Sequence, residues 1–228
     1  MFCMLYGLAI IMLIVSLVLS ANVNDKFKKW SEHPNSLGLT GADVAQRMLH
    51  QNGIYDVKVV TSEDDKLSDH YDPKKKTVCL SADVYHRASI ASVAVAAHEC
   101  GHAIQHNTGY APLSIRSALV PVANFGSIAG VWICIIGAIL GSVFWPALWL
   151  IDIGILFFAF AVIFHLITLP VEYNASNRAL ATLEGSGMLT SDETAGAKEV
   201  LSAAALTYVA AALSAVIQLL RFIGIRRN

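Results

Sequence analysis

The sequence predicts a mainly α integral membrane protein, with about four transmembrane helices plus a small α+β domain. Three observations predict it. Hydrophobic residues fill 55% of the 228 positions and charged residues only 14%, where soluble domains carry about a quarter charged. The mean hydropathy is +0.56. Charge is also segregated: residues 22–116 hold 22 of the 33 Lys, Arg, Asp and Glu, whereas residues 117–171 hold only Asp152. This composition excludes a disordered chain, a disulfide scaffold and an ordinary soluble enzyme. With a net charge of −1, nothing points to nucleic acid, and the expected partner is the lipid bilayer.

Taken in order, residues 1–21 read as a transmembrane anchor, because positions 2–21 are uncharged and about 20 apolar residues span a bilayer. No basic n-region and no A-x-A-like cleavage site accompany them, so an uncleaved anchor is expected. Residues 22–116 form the polar segment. Within it, residues 40–53 predict a short helix capped by Thr40, with Val44, Ala45, Met48 and Leu49 on one face and Gly53 as its stop. Residues 57–60 and 76–80 are β-rich. Glu63-Asp64-Asp65 and Asp72-Pro73 between them are turn chemistry, so a hairpin or small sheet is expected. Ser81 then caps a long helix over residues 82–107, ending at Gly109. Ile90, Val93, Ala94, Ala97, Gly101 and Ile104 share one of its faces.

Residues 117–171 read as a transmembrane hairpin turning near Trp145-Pro146, with Trp149 close by as an interfacial aromatic. Residues 172–199 read as a helix and loop, which Pro170 is placed to open. Residues 200–228 read as a C-terminal membrane helix and basic tail, its alanine-rich part either crossing the bilayer or packing on the other spans. Lys26, Lys28, Lys29, Arg116 and Arg178 flank the spans on what the positive-inside rule makes the cytoplasmic side. Four crossings then leave Arg221, Arg226 and Arg227 outside, against that rule. The four cysteines form no C-x-x-C pair, so a cysteine zinc site is not expected.

His98-Glu99-Cys100-Gly101-His102 carries the chemistry. On a helix, positions i and i+4 share a face, so both imidazoles can reach one metal ion. Glu99, one step round, can hold a water on that ion and take its proton, as in a zinc hydrolase. Chance gives H-E-x-x-H about 0.01 times in a chain of this composition, the alternative being two solvated histidines on a surface helix. A catalytic zinc needs a third protein ligand. Two candidates stand: His106, eight residues beyond His98 and about 12 Å along the axis, and Glu172, just after the hairpin. Two crossings return the chain to its starting side, so Glu172 can meet the histidines whichever way the protein inserts.

The sequence resembles the YugP-type bacterial membrane zinc metallopeptidases. The likeness is carried by Asp69-His70-Tyr71-Asp72-Pro73, by Val95 through His106, by Gly109-Tyr110-Ala111-Pro112-Leu113 and by Arg116 through Pro121. It continues in Leu169 through Ser176 and in Ala203 through Leu213. The resemblance implies a gluzincin-like, zincin-like domain embedded in a multi-pass protein of the bacterial cell membrane. One Zn2+ would be held by His98, His102 and Glu172, with Glu99 as general base and a peptide or protein as substrate. The segment around Glu172 is also similar to the E-x-x-A-D segment of the CAAX prenyl protease and heat-shock membrane protease group. Here Ser176 stands where those relatives carry an aspartate that can orient a ligand histidine, and Ser176 or Asn174 could take that part.

Tyr208, Arg178, His70 and Tyr173 are candidate donors to an oxyanion. Thr77-Val78-Cys79-Leu80 is either a core strand or an exposed edge for an extended substrate. Asp152 is a functional or interfacial acid, His165 is expected to pack against a neighbouring helix, and Lys74-Lys75-Lys76 reads as a solvated turn. Two other function classes remain: an inactive metal-binding membrane adaptor, which would tolerate loss of Glu99, and a transporter using Asp152 and His165 as a proton path.

Overall fold

The computed structural model describes residues 2–62 and 69–227, with side chains described from Tyr6 on. The Glu63-Asp64-Asp65 turn and the Cys3 side chain lie outside the described residues. Among the described residues, four helices are long and apolar enough to cross a membrane: Tyr6–Ser31, Ala111–Val143, Trp145–Gly185 and Ser191–Arg227. They belong to α1 (Phe2–Ser31), α5 (Ala111–Val143), α6 (Trp149–Gly185) and α7 (Ser191–Arg227), all longer than the apolar stretches they contain. The chain divides into two compact units, one made of residues up to Leu19, Ser114–Pro170 and from Thr207 on, the other of Ser20–Leu113 and Val171–Leu206.

The first unit is the apolar one. A single 3-10 turn, Trp145–Leu148, joins α5 to α6, with Trp145 and Trp149 exposed at the expected bend. Its core is small: Cys134, Ile151, Phe158, Val162, Ala215 and Phe222. Ile10, Leu13, Leu17 and Val18 of α1 stay exposed, which suits a face turned to lipid. Pro121 and Pro170 both lie inside helices. The expectation that Pro170 opens a new helix is therefore corrected: α6 runs unbroken from Trp149 to Gly185. Membrane helices tolerate an interior proline because side chains and neighbours satisfy freed backbone groups. Asp152 pairs with Arg226, and the His165 ring lies 5.7 Å from Phe164.

The second unit holds the small α+β part and most of the core. In α2 (Gly41–Gln51) Thr40 accepts from the Asp43 N–H, and Asp43 reciprocates at the cap backbone, a full capping box. These bonds to Thr40 hold the Asp43 carboxyl below its usual range. Val44, Ala45, Met48 and Leu49 are buried, and Gly53 takes a φ of 70° that ends the helix.

Three strands follow: β1 (Lys58–Thr61), β2 (His70–Asp72) and β3 (Thr77–Leu80), in the order β1-β3-β2. β1 runs parallel to β3 and β2 antiparallel to it, so the hairpin is β2–β3. The turn chemistry of Asp72-Pro73 is borne out: Asp72 ends β2, and its side chain accepts from the Lys74 and Lys75 N–H groups in the turn that follows. Of the two readings of Thr77–Leu80, the core strand is the one observed, since β3 is central, bonded on both sides, and offers no edge.

The single helix expected over residues 82–107 is broken into α3 (Ala82–His86) and α4 (Ile90–Asn107). A long-range contact wins over local propensity. The backbone at 33–35 bonds across residues 88–90, and the Gly41 N–H bonds to the Arg87 carbonyl, so residues 87–89 are drawn extended. Ser89 then caps α4 by accepting from the Ser92 N–H. Ser81 makes no side-chain cap; it donates instead to Asp69 from both its N–H and its hydroxyl. Ile90, Val93, Ala94, Ala97 and Ile104 are buried as their periodicity predicts, and Gly109 at φ 64° closes the helix.

Candidate metal centre

The site is assembled by α4 and the part of α6 after Pro170. Gly101 makes it possible: a Cβ there would lie 2.5 Å from the Ala175 carbonyl oxygen, so only glycine lets the two backbones meet. Glu172, Ala175 and Ser176 are spaced i, i+3 and i+4, as are His98, Gly101 and His102. The backbone contact thus sets two polar pairs facing each other.

His98, His102 and Glu172 each turn a ligand atom inward, all within 4.8 Å of one another. His98 Nε2 lies 3.2 Å and His102 Nε2 3.6 Å from the same Glu172 oxygen, Oε2. Ligands bound about 2.0–2.1 Å from a tetrahedral ion stand about 3.3 Å apart, and the 3.2 and 3.6 Å separations from Glu172 Oε2 are close to that spacing. Glu172 is 2% exposed and His102 8%, too buried for an unpaired carboxylate to be left unanswered. Burial opposes charge on His102, yet its hydrogen bond to Glu172 and the nearby Glu99 and Glu172 charges outweigh that and raise its pKa. Surroundings that favour an imidazolium favour a divalent cation in the same place.

Both imidazoles are held from behind. His98 Nδ1 is 3.1 Å from the Ser176 hydroxyl, so of the two residues named for this part it is Ser176 that stands there. His102 Nδ1 meets Gln105 Oε1 at 3.0 Å. The Gln105 amide cannot turn round, because its Nε2 donates to the Val171 carbonyl at 2.8 Å and to Asn174 Oδ1 at 3.0 Å. Its oxygen must face the ring, Nδ1 must carry the hydrogen, and the Nε2 lone pair is left for a metal. Arg178 Nε donates to the same Asn174 oxygen at 2.8 Å, which steadies the chain of bonds. Gln105, wholly buried, is the residue that sequence reasoning missed. The available signal was a glutamine three residues past a ligand histidine, on the buried side of an apolar helix.

Glu99 sits beside His98 on α4, 9% exposed. Its charge, after burial, helps raise the pKa of Asp69, whose carboxylate is held by Ser81. His106 is elsewhere: its Nδ1 lies 2.8 Å from the Tyr71 hydroxyl, whose pKa burial pushes up to about 12. Of the other donors considered, Tyr173 is exposed, Arg178 is engaged with Asn174, His70 is exposed on β2, and Tyr208 belongs to the apolar unit. Cys100 is buried and its thiol pKa is pushed up by burial, which leaves it inert.

Comparison with known proteins adds three findings. Residues 5–227 match the family described as "Putative neutral zinc metallopeptidase". The chain is similar to "Putative membrane protease YugP" of Bacillus subtilis (strain 168), 47% identical over 206 residues, which cover 90% of this chain and 89% of that protein. No solved structure matches the chain.

Proposed function

The chain belongs to the family described as "Putative neutral zinc metallopeptidase". From that premise we propose a multi-pass membrane endopeptidase that hydrolyses peptide bonds at a single zinc ion held by His98, His102 and Glu172. The observation that carries the reading is the meeting of these three donors, drawn from two helices, beside a nearly buried glutamate. A zinc ion bound there would polarise the scissile carbonyl and lower the pKa of the attacking water.

The residues divide the remaining work. Glu99 accepts the proton that the attacking water gives up as its oxygen bonds to the carbonyl carbon. It passes that proton to the amide nitrogen as the C–N bond breaks, and so ends as it began. Ser176 and Gln105 keep the two rings from turning, so that each presents Nε2. Lys26, Lys28 and Lys29 near the end of α1, with Arg116 and Arg178, support a site on the cytoplasmic side.

The test is metal content and cleavage of an unfolded protein substrate, measured together on purified detergent-solubilised protein. Glu99→Gln should keep zinc and lose cleavage, whereas His98→Ala, His102→Ala and Glu172→Ala should lose both. An active Glu99→Gln enzyme removes the assigned base, and Glu172→Ala with full zinc removes the third ligand. Wild-type protein that holds zinc but cuts nothing would favour the adaptor reading.

A further inference from the structure

A charged side chain within a membrane helix is costly unless something answers it, and for that reason it marks a site. In the apolar unit Arg226 is answered: its Nε donates to both Asp152 oxygens, at 2.9 and 3.0 Å. Arg221 is not answered in this way. Its guanidinium lies 4.1 Å over the Tyr6 ring, and one terminal nitrogen donates to Gln218 Oε1 at 2.8 Å. Its Nε is shut away from water with no hydrogen-bond partner among the described residues. A buried N–H left without an acceptor is a cost that packing alone does not explain.

Beside Arg221 lies a cavity of about 260 Å³ between α1 and α7, lined by Ala9, Met12 and Leu13 on one side and Ser214, Ile217 and Arg221 on the other. A cation stands at one end of it, and Ala9, Met12 and Leu13 lie between that end and two hydroxyls, Ser16 and Ser214. Arg221 stands six residues before the end of α7, at the same end as Tyr6 near the start of α1. From there the cavity runs inward to Ser214, seven residues or about 10 Å along the helix, past the apolar residues of α1. A free anion would use only the outer end of such a space. A phosphodiester followed by a glycerol ester and the start of an acyl chain would use all of it.

We propose that this cavity binds one anionic phospholipid, with its phosphate on Arg221 and its acyl chain against Ala9, Met12 and Leu13. Phosphate oxygens would give Nε and a neighbouring N–H their acceptors in the forked pairing that guanidinium makes with phosphate. With Arg226 neutralised by Asp152, Arg221 is the cation that lines the cavity, and Arg227 stands outside its lining. One such charge set against a lipid phosphate favours anionic over zwitterionic lipid by about fivefold. The proposal does not depend on the reading of the metal centre, and its readout is lipid binding rather than cleavage.

The experiment titrates the purified full-length protein in detergent with phosphatidylglycerol, and separately with phosphatidylcholine of the same chains, and counts bound lipid by native mass spectrometry. One phosphatidylglycerol should bind, about fivefold or more tighter than phosphatidylcholine. Arg221→Gln should erase the preference. Arg227→Gln, which removes the same charge from an exposed position, should leave it within about twofold. Ser214→Leu keeps the cation but fills the cavity, and should expel the lipid; this also decides the matter if Arg221→Gln fails to fold. Inorganic phosphate should not compete. Equal losses in the two arginine variants, an undisturbed lipid in Ser214→Leu, or displacement by inorganic phosphate would each overturn the proposal.

Discussion

In each unit of the molecule a pair of helices meets so closely at glycine that a Cβ would clash. Against α4, a Cβ on Gly101 would lie 2.5 Å from the Ala175 oxygen of α6. Between α5 and α6, a Cβ on Gly130 would lie 2.9 Å from the Gly154 oxygen, and one on Gly137 2.9 Å from the Ile151 nitrogen. The device is the same and its surroundings are opposite. Gly130 and Gly154 are flanked by Phe158 and Cys134, and the gain is van der Waals contact, which is what lipid leaves available to a membrane helix pair. Gly101 is flanked by His98, His102, Glu172 and Ser176, so the same closeness brings nitrogen and oxygen donors to 3.1–3.6 Å. Backbone proximity is a general resource of this fold. The residues one turn away decide whether it yields packing or chemistry.

The sharpest break of that comparison is a leucine at each glycine. Gly101→Leu should weaken zinc binding by more than about a hundredfold, since it parts the two helices that carry the ligands. Gly154→Leu should cost about 1–3 kcal/mol of stability and leave zinc content unchanged in the protein that remains folded. Thermal unfolding followed beside metal analysis separates the two. Equal zinc loss in both would mean that the site depends on the whole fold rather than on one contact.

Next come the groups behind the imidazoles. Gln105→Leu should lower zinc affinity by about 10–100-fold, whereas Ser176→Ala should cost less, because a hydroxyl holds its ring by one bond and the amide is itself pinned by two. Competition with a chelator dye reads both, and a harmless Gln105→Leu would remove the argument for a fixed tautomer. Smaller again is Thr40→Ala in the capping box of α2, at about 1 kcal/mol in urea unfolding, with zinc retained.

The smallest effect is a pH trend. Burial, ahead of the charge on Glu99, raises the pKa of Asp69, so the folded form holds its proton above 3.8 and the wild type loses stability as pH climbs through that window. Asp69→Asn removes the term while its oxygen can still accept from the Ser81 N–H. The stability of the variant relative to wild type should therefore improve from acid to neutral pH. A flat difference across that range would dismiss it.

Much of this was legible in the chain itself. The spans, the Trp145 turn, the Thr40 cap and the His98/His102 pair all follow from local patterns with periods of one helical turn or one bilayer. What was not legible depends on contacts far along the chain. The break at residues 87–89 is imposed by the strand-like segment at 33–35, and no local signal at Arg87 or Ala88 announces it. The central place of β3 comes from a three-residue partner, β2, whose Asp72-Pro73 end reads as a turn. Gln105 looks like any helical glutamine until Val171 and Asn174 arrive from a segment 66 and 69 residues later.

The separation between His98 and Glu172 has a consequence in time. Seventy-four residues of chain divide them. At about 5–20 residues per second of synthesis, the ribosome delivers Glu172 roughly 4–15 s after His98. Throughout that interval the nascent protein has His98, Glu99 and His102 but not the carboxylate that the proposed centre requires. On that proposal, biosynthesis itself would act as a safety catch, with the centre left incomplete until residues 117–171 have been made.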